Sequence, residues 1–171
     1  MSLFFVDAET DGLYGAFLSI AALAADDDGK ETDRFCASVR IKKEDIQSRW
    51  VRQNVFPYLE NADLRFNDQA DMLTAFWNFW IRHRNNETRC VAYVQYPVET
   101  RLFEECVRFD LPERALLAPF PIYDLSTLLC ARGYGFDIDL QEFSGLKLTS
   151  HDAMNDVLMT AAVWNKLIYK R

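Results

Sequence analysis

The sequence has no run approaching eighteen uncharged apolar residues, so it offers no membrane span. It has no basic n-region either. The start, Met1-Ser2-Leu3-Phe4-Phe5-Val6-Asp7, reaches a carboxylate too early for a secretory signal, and a cytoplasmic location is expected. Cysteines are few: Cys36, Cys90, Cys106 and Cys130 show no C-x-x-C spacing and no paired histidine spacing. This argues against a disulfide framework and a cysteine zinc site, and for reduced, mostly buried thiols. Positive charge is short as well, with 19 Lys and Arg against 26 Asp and Glu, a net charge of −7. Grip on long duplexes comes from neutralising many phosphates, so this balance speaks against it. Work on a nucleic acid would need metal ions for local positive charge, or a short substrate. No repeat, linker or low-complexity tract is visible.

What is present is material for a core. The chain has 171 residues, 50% hydrophobic and 14% aromatic, which excludes disorder. A single domain over residues 1–171, burying about 70% of its unfolded surface, is expected. Residues 3–7, 17–25 and 32–40 read as strands, with Asp26-Asp27-Asp28-Gly29 as a turn between the second and third. Residues 44–59 read as a helix. Residues 69–84 form a stronger one, because Met72, Leu73, Phe76, Phe79 and Trp80 recur at three- and four-residue spacing. A strand over 89–94, a helix over 98–109 started by Pro97, and a strand over 121–123 follow. Asp124 caps a helix running to Ala131, and the last helix covers 150–169 with Thr149 or Ser150 as cap. The order predicts an α/β fold: three antiparallel strands and then β-α units, forming one mixed sheet flanked by helices.

Two clusters carry chemistry. Asp7 and Glu9 stand two apart at the end of the first strand, so both side chains leave one face. Carboxylates that close repel each other unless a proton or cation lies between them, and hard divalent ions take such oxygens. Alone, the pair reads first as solvated strand-end charge. His151 and Asp156 open the last helix, with His151 in its first turn and Asp156 about one turn deeper. An inward carboxylate on that otherwise apolar helix needs a partner, and a metal shared with Asp7 and Glu9 would be one. Alone, His151 reads as a capping or surface histidine.

Together the clusters resemble a known family. Asp7-Ala8-Glu9-Thr10-Asp11-Gly12-Leu13 is similar to the D-x-E-T-x-G-L motif of the DEDDh exonucleases, the DnaQ-like and RNase T-like branch of the ribonuclease H-like superfamily. His151-x-Ala153-x-x-Asp156 is similar to their H-x-A-x-x-D motif, and Ile122-Tyr123-Asp124-Leu125-Ser126-Thr127-Leu128 to their strand-to-helix segment. The middle motif departs. Where H-N-x-x-F-D is usual, this chain has Val94-Gln95-Tyr96-Pro97-Val98-Glu99, and Glu99 reaches about 1.5 Å further than an Asp.

The resemblance implies a 3′→5′ exonuclease that hydrolyses phosphodiester bonds from the free 3′ end of single-stranded or short nucleic acid, RNA or both RNA and DNA. It implies two ions, Mg²⁺ or Mn²⁺, held by Asp7, Glu9, Asp156 and Glu99, with His151 taking a proton from the attacking water. It places the terminal nucleotide against Ala8, Thr10 and Leu13. Tyr14, Tyr96 and Phe17 are candidates for base stacking. An exposed Trp77 would mark a homodimer face. Arg82, His83 and Arg84 read as a solvated, dipole-favoured cluster. Two other readings stay open: a binding module that cleaves poorly because of Glu99, and an unrelated mixed-sheet domain with these residues scattered in space.

Overall fold

The computed structural model describes residues 2–135 and 138–169. Six strands form one sheet in the order β4-β3-β2-β1-β5-β6. They are β1 (Ser2–Thr10), β2 (Phe17–Ala25), β3 (Glu31–Val39), β4 (Leu64–Phe66), β5 (Thr88–Ala92) and β6 (Ile122–Asp124). The first three pair antiparallel; β4 joins β3, β5 joins β1 and β6 joins β5 in parallel. The expected mixed α/β sheet is the one found. Seven α-helices occur among the described residues: α1 (Arg49–Asn54), α2 (Gln69–His83), α3 (Val98–Arg108), α4 (Leu111–Arg114), α5 (Leu125–Ala131), α6 (Leu140–Ser144) and α7 (Ala153–Tyr169). None is long and apolar enough to cross a membrane.

Alternation along β1 divides the core in two. Phe4, Val6 and Ala8 point into a cluster with Phe76 and Trp80 of α2 and Leu102 and Phe103 of α3. Leu3 and Phe5 point the other way, into a cluster with Val157, Ala161 and Trp164 of α7. Period two then sends Asp7 and Glu9 toward α7 as well. The α2 face is aromatic: the Phe4 ring lies 4.9 Å from Trp80 in an edge contact, and Trp80 Nε1 donates to Leu117 O at 2.8 Å. Cys36, Cys90 and Cys106 are buried and unpaired, and burial pushes the Cys36 and Cys106 thiols up to about 11 and 12. They are buried free thiols, in keeping with the expectation; Cys130 is exposed.

The sequence reading is corrected in several places. Residues 44–59 are not one helix. A 3₁₀ turn at Lys43–Asp45, α1, and a second 3₁₀ segment at Phe56–Asn61 replace it. Ser48 caps α1 by accepting from Val51 N, and Pro57 has no N–H with which to continue the ladder. The long-range tie is Asp11, whose carboxylate accepts from Gln47 N at 2.7 Å and Ser48 N at 2.8 Å. Strand β4 and helices α4 and α6 were not expected. The last helix begins at Ala153, and its cap is Asp152, which accepts from Met154 N at 3.2 Å. His151 therefore lies before the helix and not in its first turn. Trp77 packs into the core with Phe76, Phe79 and Trp80, the first reading of that aromatic run; it is 4% exposed, under the Arg114 guanidinium, so it marks no exposed dimer face. His83 is not merely solvated, because its Nε2 lies 2.8 Å from Asp33 Oδ2.

The Asp11 tie has a measurable consequence. Hydrogen bonds to a charged acceptor are worth about 1.5–3 kcal/mol each. Asp11→Ala breaks two, and urea unfolding is expected to show a loss of about 2 kcal/mol or more, with Asp11→Asn retaining part of it. An unchanged midpoint for Asp11→Ala would remove this tie from the account of the fold.

Candidate active site

The cleft that matters opens where β1 outruns β5. Pairing of β1 with β5 stops at Phe5, opposite Val91, while pairing with β2 continues to Thr10. Asp7, Ala8 and Glu9 therefore form an open edge at the mouth of the sheet. The register shifts between Glu9 and Thr10, an irregularity of the kind that re-aims side chains beside sites. Gly12, at φ 75°, turns the chain so that Asp11 N reaches Ala16 O at 2.9 Å. Gly15 passes so close to the Asp11 carbonyl that a Cβ there would sit 2.0 Å from its oxygen.

The cleft has a volume of about 620 Å³, and Asp7, Ala8, Glu9, Tyr93, Ser150, His151 and Asp156 line it together with residues 138–141. Asp7, Glu9, His151 and Asp156 thus come together from both ends of the chain. One ligand atom each of Glu9, His151 and Asp156 lies within 4.8 Å of the others. Asp7 sits deeper, and its Oδ2 is shut from solvent with no hydrogen-bond partner.

The electrostatics follow from this crowding. Burial, then Asp156, Glu9, Glu99 and Asp152, hold the Asp7 carboxyl well above its ordinary range. Burial and the neighbouring Asp156 and Asp152 raise Glu9 to about 7, and burial raises Asp156 to about 7 although it accepts from His151 N at 2.8 Å. A cluster of acids with an orphaned buried oxygen is a site short of positive charge. A divalent ion with oxygen ligands fits that shortage.

His151 is held in a special way. Its φ is 66°, the one positive value outside glycine among the described residues. Left-handed backbone in a non-glycine residue costs about 1–2 kcal/mol and concentrates at functional sites. Here it turns the His151 N–H onto Asp156 and brings Nδ1 to 3.9 Å from Glu9 Oε1. The Trp50 ring meets the imidazole edge-on at 4.7 Å. Partial burial lowers the His151 pKa, which keeps the ring neutral near pH 7.

Glu99 does something the sequence did not announce. It is buried, its Oε1 accepts from Ala8 N at 3.3 Å, and it does not line the cleft. It satisfies the backbone of β1 beyond the last β5 pair. Burial, with Glu9 and Asp124 nearby, raises it to about 8. Of the proposed substrate residues, Ala8 lines the cleft and Thr10 Oγ1 bonds the Gly12 carbonyl at 2.7 Å. Leu13, Tyr14 and Tyr96 are 61%, 69% and 67% exposed. The neighbouring Tyr96 raises the Tyr14 pKa. Phe17 is not available for stacking: it is 1% exposed, and the Arg101 guanidinium lies 4.3 Å from its ring centroid.

Three residues at the site had escaped the sequence reading. Asp152 both caps α7 and accepts from Asn61 Nδ2 at 2.8 Å; an Asp just before a helical run was a legible signal for the cap. Tyr93 follows β5 directly into the cleft. Trp50 had no local signal, since its contact to His151 spans the chain.

No protein-family model matches the chain, nor does any curated protein sequence. Solved structures do match in shape. The zinc-bound complex of E. coli exonuclease I with single-stranded DNA superposes with a TM-score of 0.77 at 13% identity, over 99% of this chain and 41% of that one. Exonuclease I from Methylocaldum szegediense gives 0.67 at 16% identity, over 99% and 40%. The E. coli enzyme bound to a dA16 oligonucleotide gives 0.69 at 14% identity, over 99% and 41%. The chain has the ribonuclease H-like fold of these exonucleases. It spans about two fifths of their length, and at such identities the likeness is one of fold.

Proposed function

We infer that the chain is a divalent-metal-dependent 3′→5′ exonuclease acting on single-stranded or short nucleic acid. One observation carries the reading. Asp7, Glu9, Asp156 and His151, from opposite ends of the chain, face one cleft, and an Asp7 oxygen there has no partner. The exonuclease shape of the solved neighbours, some bound to single-stranded DNA, supports it.

Asp7, Glu9 and Asp156 would hold Mg²⁺ or Mn²⁺; Glu99, near enough to act on the Asp7 charge but turned to Ala8 N, would serve a second ion only by releasing that N–H. Such ions, when bound, neutralise phosphoryl oxygens and make water a better nucleophile. His151, neutral near pH 7, takes the proton from the attacking water. Asp156 fixes the backbone of that histidine. The exposed Leu13, Tyr14 and Tyr96 offer apolar and ring surface to the terminal bases. The reading as a poorly cleaving binding module draws on Glu99, whose carboxylate is committed to Ala8 N instead of facing the cleft.

A 5′-labelled oligonucleotide, in ribo- and deoxyribo- forms with free and blocked 3′ ends, separates the two. With Mn²⁺ a ladder shortening from the free 3′ end is expected, and none in EDTA. Removing a general base costs about 10²–10⁴-fold, so His151→Ala should lose that much in kcat with KM little changed. Full cleavage in chelator, or equal cleavage of blocked ends, would refute the exonuclease reading. Tight binding without any ladder would leave the binding module.

A further inference from the structure

The chain is acidic as a whole, yet residues 40–52 hold five Lys and Arg against two acids. Part of this segment lines a second cleft, of about 420 Å³, with Arg40, Lys42 and Arg65 around Ile41 and Asp45. We propose that this cationic cleft is a phosphate site that holds the backbone of a single strand upstream of its 3′ end. The proposal rests on the exonuclease reading for the identity of the strand, and on the following geometry for its place.

Register sets the position. Glu9 pairs with Ser19, Ser19 with Ser38, and Ser38 with Arg65, so Glu9 and Arg65 stand in one row across the sheet. Three strand spacings make that row about 14 Å long. The stretch from Arg40 to Trp50 starts at the cationic cleft and ends against His151. Asp11 fastens that stretch to the first hairpin through Gln47 and Ser48. Ser19 and Ser38 in that row are buried, so a strand whose end lies at Glu9 would run over the half-exposed Trp50 and meet the cations at least about four stacked nucleotides upstream, at 3.4 Å each.

The donors are set in advance. Arg40 is anchored through its own N–H to Phe66 O at 2.7 Å and through its guanidinium to Asn67 Oδ1 at 3.1 Å. Arg65 spends one nitrogen on Glu60 at 3.2 Å, while its Nε is shut from solvent with no acceptor. Planar guanidinium donors match phosphate oxygens in pairs, and Lys42 adds a point charge. The catalytic cleft repels phosphate until metal binds, so a cationic site away from it gives the strand a grip that does not depend on metal.

The test compares a twenty-nucleotide oligothymidylate with a three-nucleotide one, in the parent and in the triple variant Arg40→Gln, Lys42→Gln, Arg65→Gln. The parent should favour the long strand in kcat/KM by about tenfold, and the variant should lose most of that preference. Each phosphate contact contributes about 0.7 to the salt slope on single strands, so the slope should fall by about two. Lys42→Glu alone, at an exposed side chain, should show part of both effects. A variant that keeps the length preference and the salt slope overturns the site. If the parent hydrolyses neither strand, nor oligouridylates of the same two lengths, the nuclease reading fails and fluorescence anisotropy with the labelled long strand decides the cleft. Tenfold weaker binding by the variant then supports it, and equal binding overturns it.

Discussion

If the chain is the proposed nuclease, Asp7→Asn is expected to remove about 10³-fold or more of the hydrolytic rate and to leave the metal-free protein at least as stable as the parent. Both halves follow from one oxygen. Asp7 Oδ2 is buried without a partner, and burial together with Asp156, Glu9, Glu99 and Asp152 disfavours its charge. An uncompensated buried carboxylate costs the fold, and a neutral amide of nearly the same shape relieves that cost. The rate falls because the amide cannot hold a divalent ion as a carboxylate does. Charge stabilisation by a metal is worth several kcal/mol, and each 1.36 kcal/mol is tenfold. Single-turnover cleavage with Mn²⁺ and thermal unfolding in EDTA check the two halves. A variant that loses both activity and stability would make Asp7 a structural residue. A variant that keeps full activity would remove it from the metal site.

The residues that meet in the cleft were legible because their chemistry is local in sequence. Asp7 and Glu9 share a face by period two, and that face is the one β1 turns to α7. The long apolar helix after His151 is α7 itself, so its first turns had to meet the same face of the sheet. The mixed sheet followed from a meander and then β-α alternation, whereas its strand order and the edge strand β4 did not. What was not legible depends on contacts between distant segments. Nothing near residue 50 announces that Trp50 will touch His151, or that Asp11 will break residues 44–59 by binding Gln47 and Ser48. Glu99 stood at the expected position, but its partner is a backbone N–H left open where β5 ends. That opening is a property of strand lengths in the folded sheet. Phe17 needed the folded structure for a similar reason: an aromatic beside a candidate site reads first as packing and second as a stacker, and Arg101 over its ring decides for packing.

The same carboxylates give the metal-free protein an inverted pH dependence. Glu9 and Asp156 are raised to about 7 and Glu99 to about 8, each chiefly by burial. In the unfolded chain such groups titrate near about 4. Between those values the folded protein holds more protons than the unfolded one, so stability falls as pH rises. The contribution is whole below about pH 4 and is lost as pH passes 7 to 8, the reverse of an ion-paired carboxylate. The groups titrate as a set, and together the loss is on the order of several kcal/mol. Mg²⁺ acts against it, because the ion binds the deprotonated folded form; at a hundredfold excess over Kd it returns about 2.7 kcal/mol. Glu99→Gln keeps an oxygen for Ala8 N but cannot ionise, so it should flatten the upper part of the fall and leave the part near pH 7. Urea midpoints in EDTA from about pH 5 to about pH 8.5, repeated with Mg²⁺, measure all of this. A midpoint that stays level or climbs in EDTA would mean that these acids reach water or cations that the folded cleft denies them.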